Sequence, residues 1–354
     1  MFELQVAPGI TFVEGERRGR FPFGNCLVLG GRSGSAVWAL VDTGVGDEVL
    51  EALVARGLPD VVINTHYHFD HVRGNRRLLS GGSAGKAAAG PEGAGGPDGV
   101  TGVGNPVFWC PAGEAEAFTR WEGFLRFTGF DLPGLEGART VRQELGWVPT
   151  PVGREIRDGD ELDLGGLRAV AVRLPGHTPG HTGLWFPAEG VIFAADIDLS
   201  GFGPWYGDVF SSIDDYLASL RRLETLVEET AAGGRRKVVI LTSHRRPLSY
   251  EGFRERLPGF AARVDERDDR ILGILAAADG PLSTTEVAER WPVYGPRAEK
   301  LPGIWKSEYL MVRHHLDRLA RAGRIERLAG PPEPSGSAAH DRVLPGGNEL
   351  WRVR

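Results

Sequence analysis

The chain predicts an α/β fold followed by a smaller α+β unit, on three observations. Short apolar runs at 61–63, 167–172, 191–195 and 238–241 read as buried strands. Helical patterns stand between and after them. The plainest covers 212–230, with Ile213, Leu217, Leu220, Leu223 and Val227 spaced for one face. From about residue 263 the pattern changes to closely spaced helices with a final pair of short strands. A chain of 354 residues is long for one domain. The expected division is therefore 1–262 for the larger unit and 263–354 for the smaller.

The elements follow in order. Residues 2–13, 23–30 and 38–41 read as opening strands, and 47–56 as a helix with Val49, Leu50, Leu53 and Val54 inward. A short helix is expected over 72–79. Residues 81–105 are dominated by Gly and Ala, with Pro91 and Pro97, and offer too little apolar surface to offset their ordering entropy; a flexible insertion is expected there. A strand at 107–110 and a helix at 112–118 come next. Residues 119–150 hold Trp121, Phe124, Phe127, Phe130 and Trp147, which suit either a packed excursion over the sheet or a lid facing substrate. A hairpin over 161–172 turns at Gly165-Gly166, and the aromatic Gly-Pro loop at 201–207 is a candidate pocket wall. In the smaller unit, helices are expected over 268–278, 283–290 and 306–322. Ser283 and Glu286 form a capping box for the second, and Gly323 ends the third. Residues 325–328 and 350–353 are expected to pair as a β wing.

The functional signal is concentrated in Thr65-His66-Tyr67-His68-Phe69-Asp70-His71, directly after the strand Val61-Val62-Ile63. Three of the chain's nine histidines crowd around one Asp. Imidazole nitrogen and carboxylate oxygen are the donors that zinc and similar metals prefer, and strand ends are where α/β proteins bind ligands. Further donors end other strands: His177 and His181 in a Gly-Pro turn after 167–172, Asp196 after 191–195, and His244 after 238–241. An acidic side chain at the mouth of a buried strand is costly unless paired or metal-bound. Seven donors, His66, His68, Asp70, His71, His177, Asp196 and His244, are too many for one tetrahedral ion and suit two that share a carboxylate.

These motifs resemble the metallo-β-lactamase-fold hydrolases. His66, His68, Asp70 and His71 match that family's His-x-His-x-Asp-His signature, Gly176-His177-Thr178 its second turn, and Asp196 and His244 its later ligands. Val41-Asp42-Thr43-Gly44 matches an early acidic turn, and the likeness spans roughly residues 2–260. His244 sits in Ser243-His244-Arg245-Arg246-Pro247 rather than the family's Gly-His-Gly turn. The resemblance implies an αββα sandwich. It implies two divalent ions, zinc foremost with iron or manganese as alternatives: His66, His68 and His177 on one, Asp70, His71 and His244 on the other, and Asp196 between them. It also implies a hydroxide shared by the ions that attacks an ester, thioester, amide or phosphodiester. Asp70 and His181 are the candidate catalytic groups. Asp70 would orient the hydroxide or pass its proton to the leaving group; His181, with Asp42, would stand behind the ligands and orient them.

Composition narrows the partners. A net charge of −6 argues against a generally basic nucleic-acid coat. The helix at 306–322 and its exit carry Lys306, Arg313, Arg318, Arg321, Arg324 and Arg327, a modest basic bias that phosphate contact would need. Yet residues 264–354 hold 14 Lys/Arg against 14 Asp/Glu. The smaller unit resembles a winged helix by element order alone, which suits a packing module or a weak nucleic-acid contact. Three rivals to a small-molecule hydrolase follow: an endonuclease for single-stranded RNA, an iron-dependent oxidoreductase or dioxygenase using only His66, His177 and Asp196, and a DNA-binding regulator. Cys26 and Cys110 imply no disulfide framework. No leader or membrane-length apolar run is read, so a cytoplasmic protein is expected, with homo-oligomerisation left open.

Overall fold

The computed structural model describes residues 1–30, 38–80, 105–132, 142, 146–233, 237–300, 304–330 and 349–354. The insertion expected at 81–105 lies outside them except for its last residue.

The first sheet has seven strands in chain order: β1 (Phe2–Ala7), β2 (Ile10–Glu14), β3 (Cys26–Gly30), β4 (Trp38–Val41), β5 (Val61–Ile63), β6 (Val107–Pro111) and β7 (Arg154–Ile156). The single strand expected over 2–13 is a hairpin, because Gly9 turns the chain with φ +80°. The second sheet has six, running β13 (Leu248–Ser249), β12 (Val239–Leu241), β11 (Val191–Phe193), β10 (Thr182–Phe186), β9 (Arg168–Arg173) and β8 (Glu161–Asp163).

Strand alternation explains how the sheets layer. Val61 and Ile63 point to the space between the sheets while Val62 points away; Val191 and Phe193 point in while Ile192 points away. Inward residues of both sheets form one core, including Phe12, Leu27, Trp109, Leu184 and Phe193. On the outside of the first sheet, Leu40, Val62 and Phe108 pack on Val49, Leu50 and Leu53 of α2 (Asp47–Val54), which follows the short α1 (Glu16–Gly19). On the outside of the second, Ile192 and Ile240 pack on Leu220, Leu223 and Val227 of α7 (Ile213–Ala232) and on Phe253 and Phe260 of α8 (Tyr250–Ala276). The result is the αββα sandwich. Ser212 opens α7 by accepting a hydrogen bond from Asp215 N.

Some elements differ from expectation. The helix expected over 72–79 is split into α3 (Phe69–Val72) and α4 (Asn75–Ser80). Gly74 sits between them where a Cβ would meet Thr43 O at 2.3 Å. Two short helices, α5 (Ala115–Thr119) and α6 (Trp121–Thr128), lead into the aromatic stretch. There Phe124, Phe127 and Trp147 are buried with Tyr67 and Cys110, and Trp121 stacks on Phe124 at 5.3 Å. The packed-excursion reading therefore holds for these residues.

The helix expected over 268–278 is the end of α8, which runs unbroken through the expected division at 262 with Pro258 inside it. The C-terminal elements are β14 (Leu282–Ser283), α9 (Thr284–Ala288) with the expected Ser283–Glu286 capping box, α10 (Ile304–Arg321), β15 (Ile325–Ala329) and β16 (Glu349–Val353). The last two strands pair antiparallel, and β14 adds to the far side of β16. Tyr309, Met311 and Leu316 of α10 share one apolar core with α7 and α8. Among the described residues no helix is long and apolar enough to cross a membrane.

Candidate metal centre

Strand register brings the donors to one edge. β11 and β12 run parallel with Phe193 opposite Leu241, so Asp196 and His244, each three residues further on, emerge side by side. In the first sheet Val41 pairs with Ile63, which sets Asp42 beside Thr65 and the start of the His-rich turn. The turn then folds back tightly. A Cβ on Gly44 would lie 1.5 Å from Asp70 O, so only glycine lets the Asp42 turn and the Asp70 turn meet. Gly176 is under the same demand: it has φ +122°, and a Cβ there would meet Tyr216 N at 2.2 Å. Asp42 and Ala195, neither a glycine, also take positive φ (62° and 44°), strain of a kind that gathers at functional sites.

All seven predicted donors converge, in two groups. His66, His68, His177 and Asp196 form one; Asp70, His71 and His244 form the other. In the first, His66 Nε2, His68 Nδ1 and His177 Nε2 lie 3.0, 3.2 and 2.9 Å from one another. Three nitrogens on a tetrahedral zinc, each about 2.0–2.1 Å from it, would stand about 3.3 Å apart, so the triangle is nearly the size a metal requires. Asp196 Oδ2 is 3.2 Å from His177 Nε2 and 3.4 Å from His244 Nε2, which places this carboxylate between the groups. His244 Nε2 lies 3.5 Å from Asp70 Oδ2. His71 Nε2 and Asp196 Oδ1 form a buried ion pair at 2.9 Å that lacks hydrogen-bond alignment, and neither atom has another hydrogen-bond partner among the described residues. Buried polar atoms without well-aligned hydrogen bonds are expensive, and a cation taken up by both would satisfy them. The donor chemistry and its geometry therefore fit two ions.

The opposite nitrogen of each imidazole in the two groups is held by the protein. His66 Nδ1 meets Thr65 Oγ1 at 3.1 Å, and His71 Nδ1 meets Asp42 Oδ2 at 2.8 Å. His177 Nδ1 donates to Trp205 O at 2.9 Å, and His244 Nδ1 to Gly19 O at 2.8 Å. His68 Nε2 meets Asp208 Oδ2 at 2.6 Å. Partners of this kind fix the tautomer that leaves a lone pair facing the metal. His181 differs. Its Nδ1 donates to Leu174 O and its Nε2 accepts from Asp196 N. Both nitrogens are engaged and the ring holds the Asp196 backbone, whereas proton transfer by His181 would need one nitrogen released from its partner.

The local fields divide the histidines. Burial, then the neighbouring His177, pushes His181 down to about 3. Burial also drives His66 well below the ordinary imidazole value, with His71 and His68 adding to it. For His244 burial works in the same direction, but Asp196 and Asp70 outweigh it and raise the ring to about 10. Burial opposes ionisation of Asp196, yet His71, His244 and His177 hold its carboxyl well below the usual range.

Two neighbours, Asp208 and Glu114, have no signal in the sequence, and a third, Lys306, is expected there on a basic face instead. Asp208 is buried and accepts from Tyr67 Oη, His68 and Lys306 Nζ. Lys306, taken as the start of a basic face, is itself buried. Glu114, pushed up to about 7 by burial, accepts from Gly180 N in the turn that carries His177. No local pattern marks Asp208; the apolar Ile304-Trp305 before Lys306 is the only hint that its helix turns this face inward. Trp205 of the aromatic loop lies edge-on against His68 and tilted against His177.

Residues 19–235 match the Metallo-beta-lactamase superfamily. The chain belongs to that superfamily. Among curated proteins it is 31% identical to a hydroxyacylglutathione hydrolase of Methylococcus capsulatus, over 79% of this chain and 88% of the relative. It is 28% identical to one of Gloeobacter violaceus, over 86% and 88%. Of solved structures, a beta-lactamase domain protein of Burkholderia ambifaria superposes with TM-score 0.63 at 22% identity, covering 99% of this chain and 93% of that one. A metallo-beta-lactamase family protein of Thermus thermophilus gives 0.59 at 21%, over 99% and 100%. The structural likeness thus extends through the C-terminal elements. As a superfamily member with this donor set, the protein is a metal-dependent hydrolase whose cofactor is a pair of divalent ions.

Proposed function

We propose that this enzyme hydrolyses the thioester of a small hydroxyacyl-thiol, with His66, His68 and His177 holding one ion, Asp70, His71 and His244 the other, and Asp196 both. The observation that carries the reading is the pairing of a complete two-ion donor set with hydroxyacylglutathione hydrolases as relatives over most of the chain. Bound there, two divalent ions supply an activated water near neutral pH and polarise the acyl carbonyl. The chain's own groups do the rest. Asp70, at the edge facing His244, orients the attacking water and carries its proton toward the departing thiolate. Asp42, Thr65, Asp208 and the carbonyls of Trp205 and Gly19 keep the rings aimed, and His181 keeps Asp196 in place.

An RNA substrate finds little support. The expected basic helix and its exit have most of their cations in ion pairs: Arg313 with Asp317 and Glu349, Arg318 with Asp214 and Asp268, Arg321 with Asp214, and Arg327 with Asp317 and Glu349. We read the C-terminal unit as a packing module of winged-helix type. A one-iron site would leave Asp70, His71 and His244 without purpose. A cytoplasmic setting suits the two free, buried thiols Cys26 and Cys110.

The test compares a hydroxyacyl-glutathione thioester, its oxygen-ester analogue and single-stranded RNA, each with and without chelator. Chelator-sensitive turnover of the thioester is expected. RNA cleavage with no thioester turnover would overturn the reading, and one iron per chain would overturn the binuclear centre.

A further inference from the structure

The contact between α10 and the donor cluster runs through two buried charges. Lys306 Nζ donates to Asp208 Oδ1 at 2.8 Å and to Thr128 O at 2.7 Å, and lies 4.6 Å from the centre of the Phe130 ring. The other carboxylate oxygen, Oδ2, meets His68 Nε2 at 2.6 Å and accepts from Tyr67 Oη at 2.8 Å. His314, also on α10, donates from Nε2 to Asp208 O at 2.8 Å. Lys306 is 5% exposed and Asp208 1%. A carboxylate so buried needs a counter-charge, and loss of one partner leaves the other uncompensated. His68 is also the one ligand of its group that turns Nδ1, rather than Nε2, toward the other two, so its Nε2 must keep its hydrogen and its acceptor.

We propose that Lys306 is a positioning residue for the metal centre: its ammonium neutralises Asp208, and the Asp208 carboxylate orients His68, so that a helix of the C-terminal unit sets the metal affinity of the first donor group. The proposal rests on the reading of His68 as a ligand. It makes the C-terminal unit part of the catalytic apparatus even though it offers no donor of its own. Surface ion pairs of α10 would be dispensable, whereas this buried one would not.

The experiment titrates metal-free protein with zinc against a chromogenic chelator, and with cobalt while following its visible absorption. Lys306→Met is expected to weaken one of the two equivalents about 10–100-fold and to alter the cobalt spectrum, leaving the second equivalent unchanged. Lys306→Arg, which keeps the charge, is expected to recover most of the affinity. In an Asp208→Asn background Lys306→Met should add little, since the route to His68 is already cut. Unchanged affinity in Lys306→Met would overturn the proposal. So would equal weakening in the Asp208→Asn background, which is what mere docking of the helix would give. If Lys306→Met does not fold, Lys306→Gln, judged by circular dichroism, carries the same expectations. A wild type that binds two ions but ignores thioesters overturns only the substrate reading; a wild type that binds none overturns this proposal as well.

Discussion

The two donor groups look alike in chemistry and differ in what stands behind them. The group of His66, His68 and His177 is backed by the protein interior: Asp208 with its buried lysine, the Trp205 carbonyl, and Thr65 leaning on Asp42. His244, in the other group, hangs from the carbonyl of Gly19, at the end of a turn where Arg17 and Arg18 take left-handed backbone angles. A neutral carbonyl is a weaker anchor for a ring than a buried carboxylate such as Asp208 behind His68 or Asp42 behind His71. The lesson is that a binuclear centre need not be equally braced: here the first group is tied to the core and the C-terminal unit, whereas in the second His71 is held by the buried Asp42 carboxylate and His244 only by a backbone carbonyl.

The largest effect would come from removing what the halves share. Asp196→Ala is expected to lower thioester turnover by at least about a thousandfold, since polarisation by metal ions is worth several kcal/mol, and to empty both positions in metal analysis. Retention of one full equivalent would assign Asp196 to a single group. Next, removal of both ions by chelator should lower thermal stability. At free ion about a thousandfold above its dissociation constant, each contributes about 4 kcal/mol, seen as a drop in Tm that added zinc reverses. A Tm indifferent to metal would mean that the donors are not preorganised for it.

A smaller difference separates the halves. Graded chelation should strip the ion of the His244 group first, by a margin of about tenfold, and His244→Ala should retain one equivalent. Simultaneous loss would show that bracing from behind does not control affinity. The smallest effect is on pH dependence in the metal-free protein. His244 is raised to about 10, so its contribution is fully present below its unfolded value of about 6.5 and fades as pH climbs toward 10. The urea-unfolding difference between wild type and His244→Gln should therefore shrink from pH 6.5 to 10. His181, lowered to about 3, predicts the reverse: metal-free protein loses stability as pH falls from about 6.5 toward 3. A difference that stays flat across the alkaline range would remove the electrostatic distinction between the groups.

The donors were legible because each is local to a strand end. A run such as Val191-Ile192-Phe193 announces a buried strand, and the next acidic residue must stand at its mouth. His244 was readable for the same reason, although its following arginines depart from the family turn. The aromatics at 121–130 were not decided by pattern, since packed and pocket-lining rings have the same composition; only contact with Tyr67 and Trp147 shows them buried. The change of pattern after about residue 263 suggests a boundary there, whereas α8 runs through it unbroken. Residue type alone offers His181 for proton transfer; that both its nitrogens meet backbone groups is visible only in the fold.

The α/β class, the strand ends and the seven candidate metal donors are readable in the sequence alone, because strand periodicity and donor chemistry are short-range properties of neighbouring residues. How these side chains divide into two groups, that Asp196 lies between the groups, and that Lys306 and Asp208 stand behind His68 appear only in the folded chain. Those last contacts join residues 140 and 98 positions apart in the chain, His68 to Asp208 and Asp208 to Lys306. Their energies depend on burial and counter-charge, which no local pattern records.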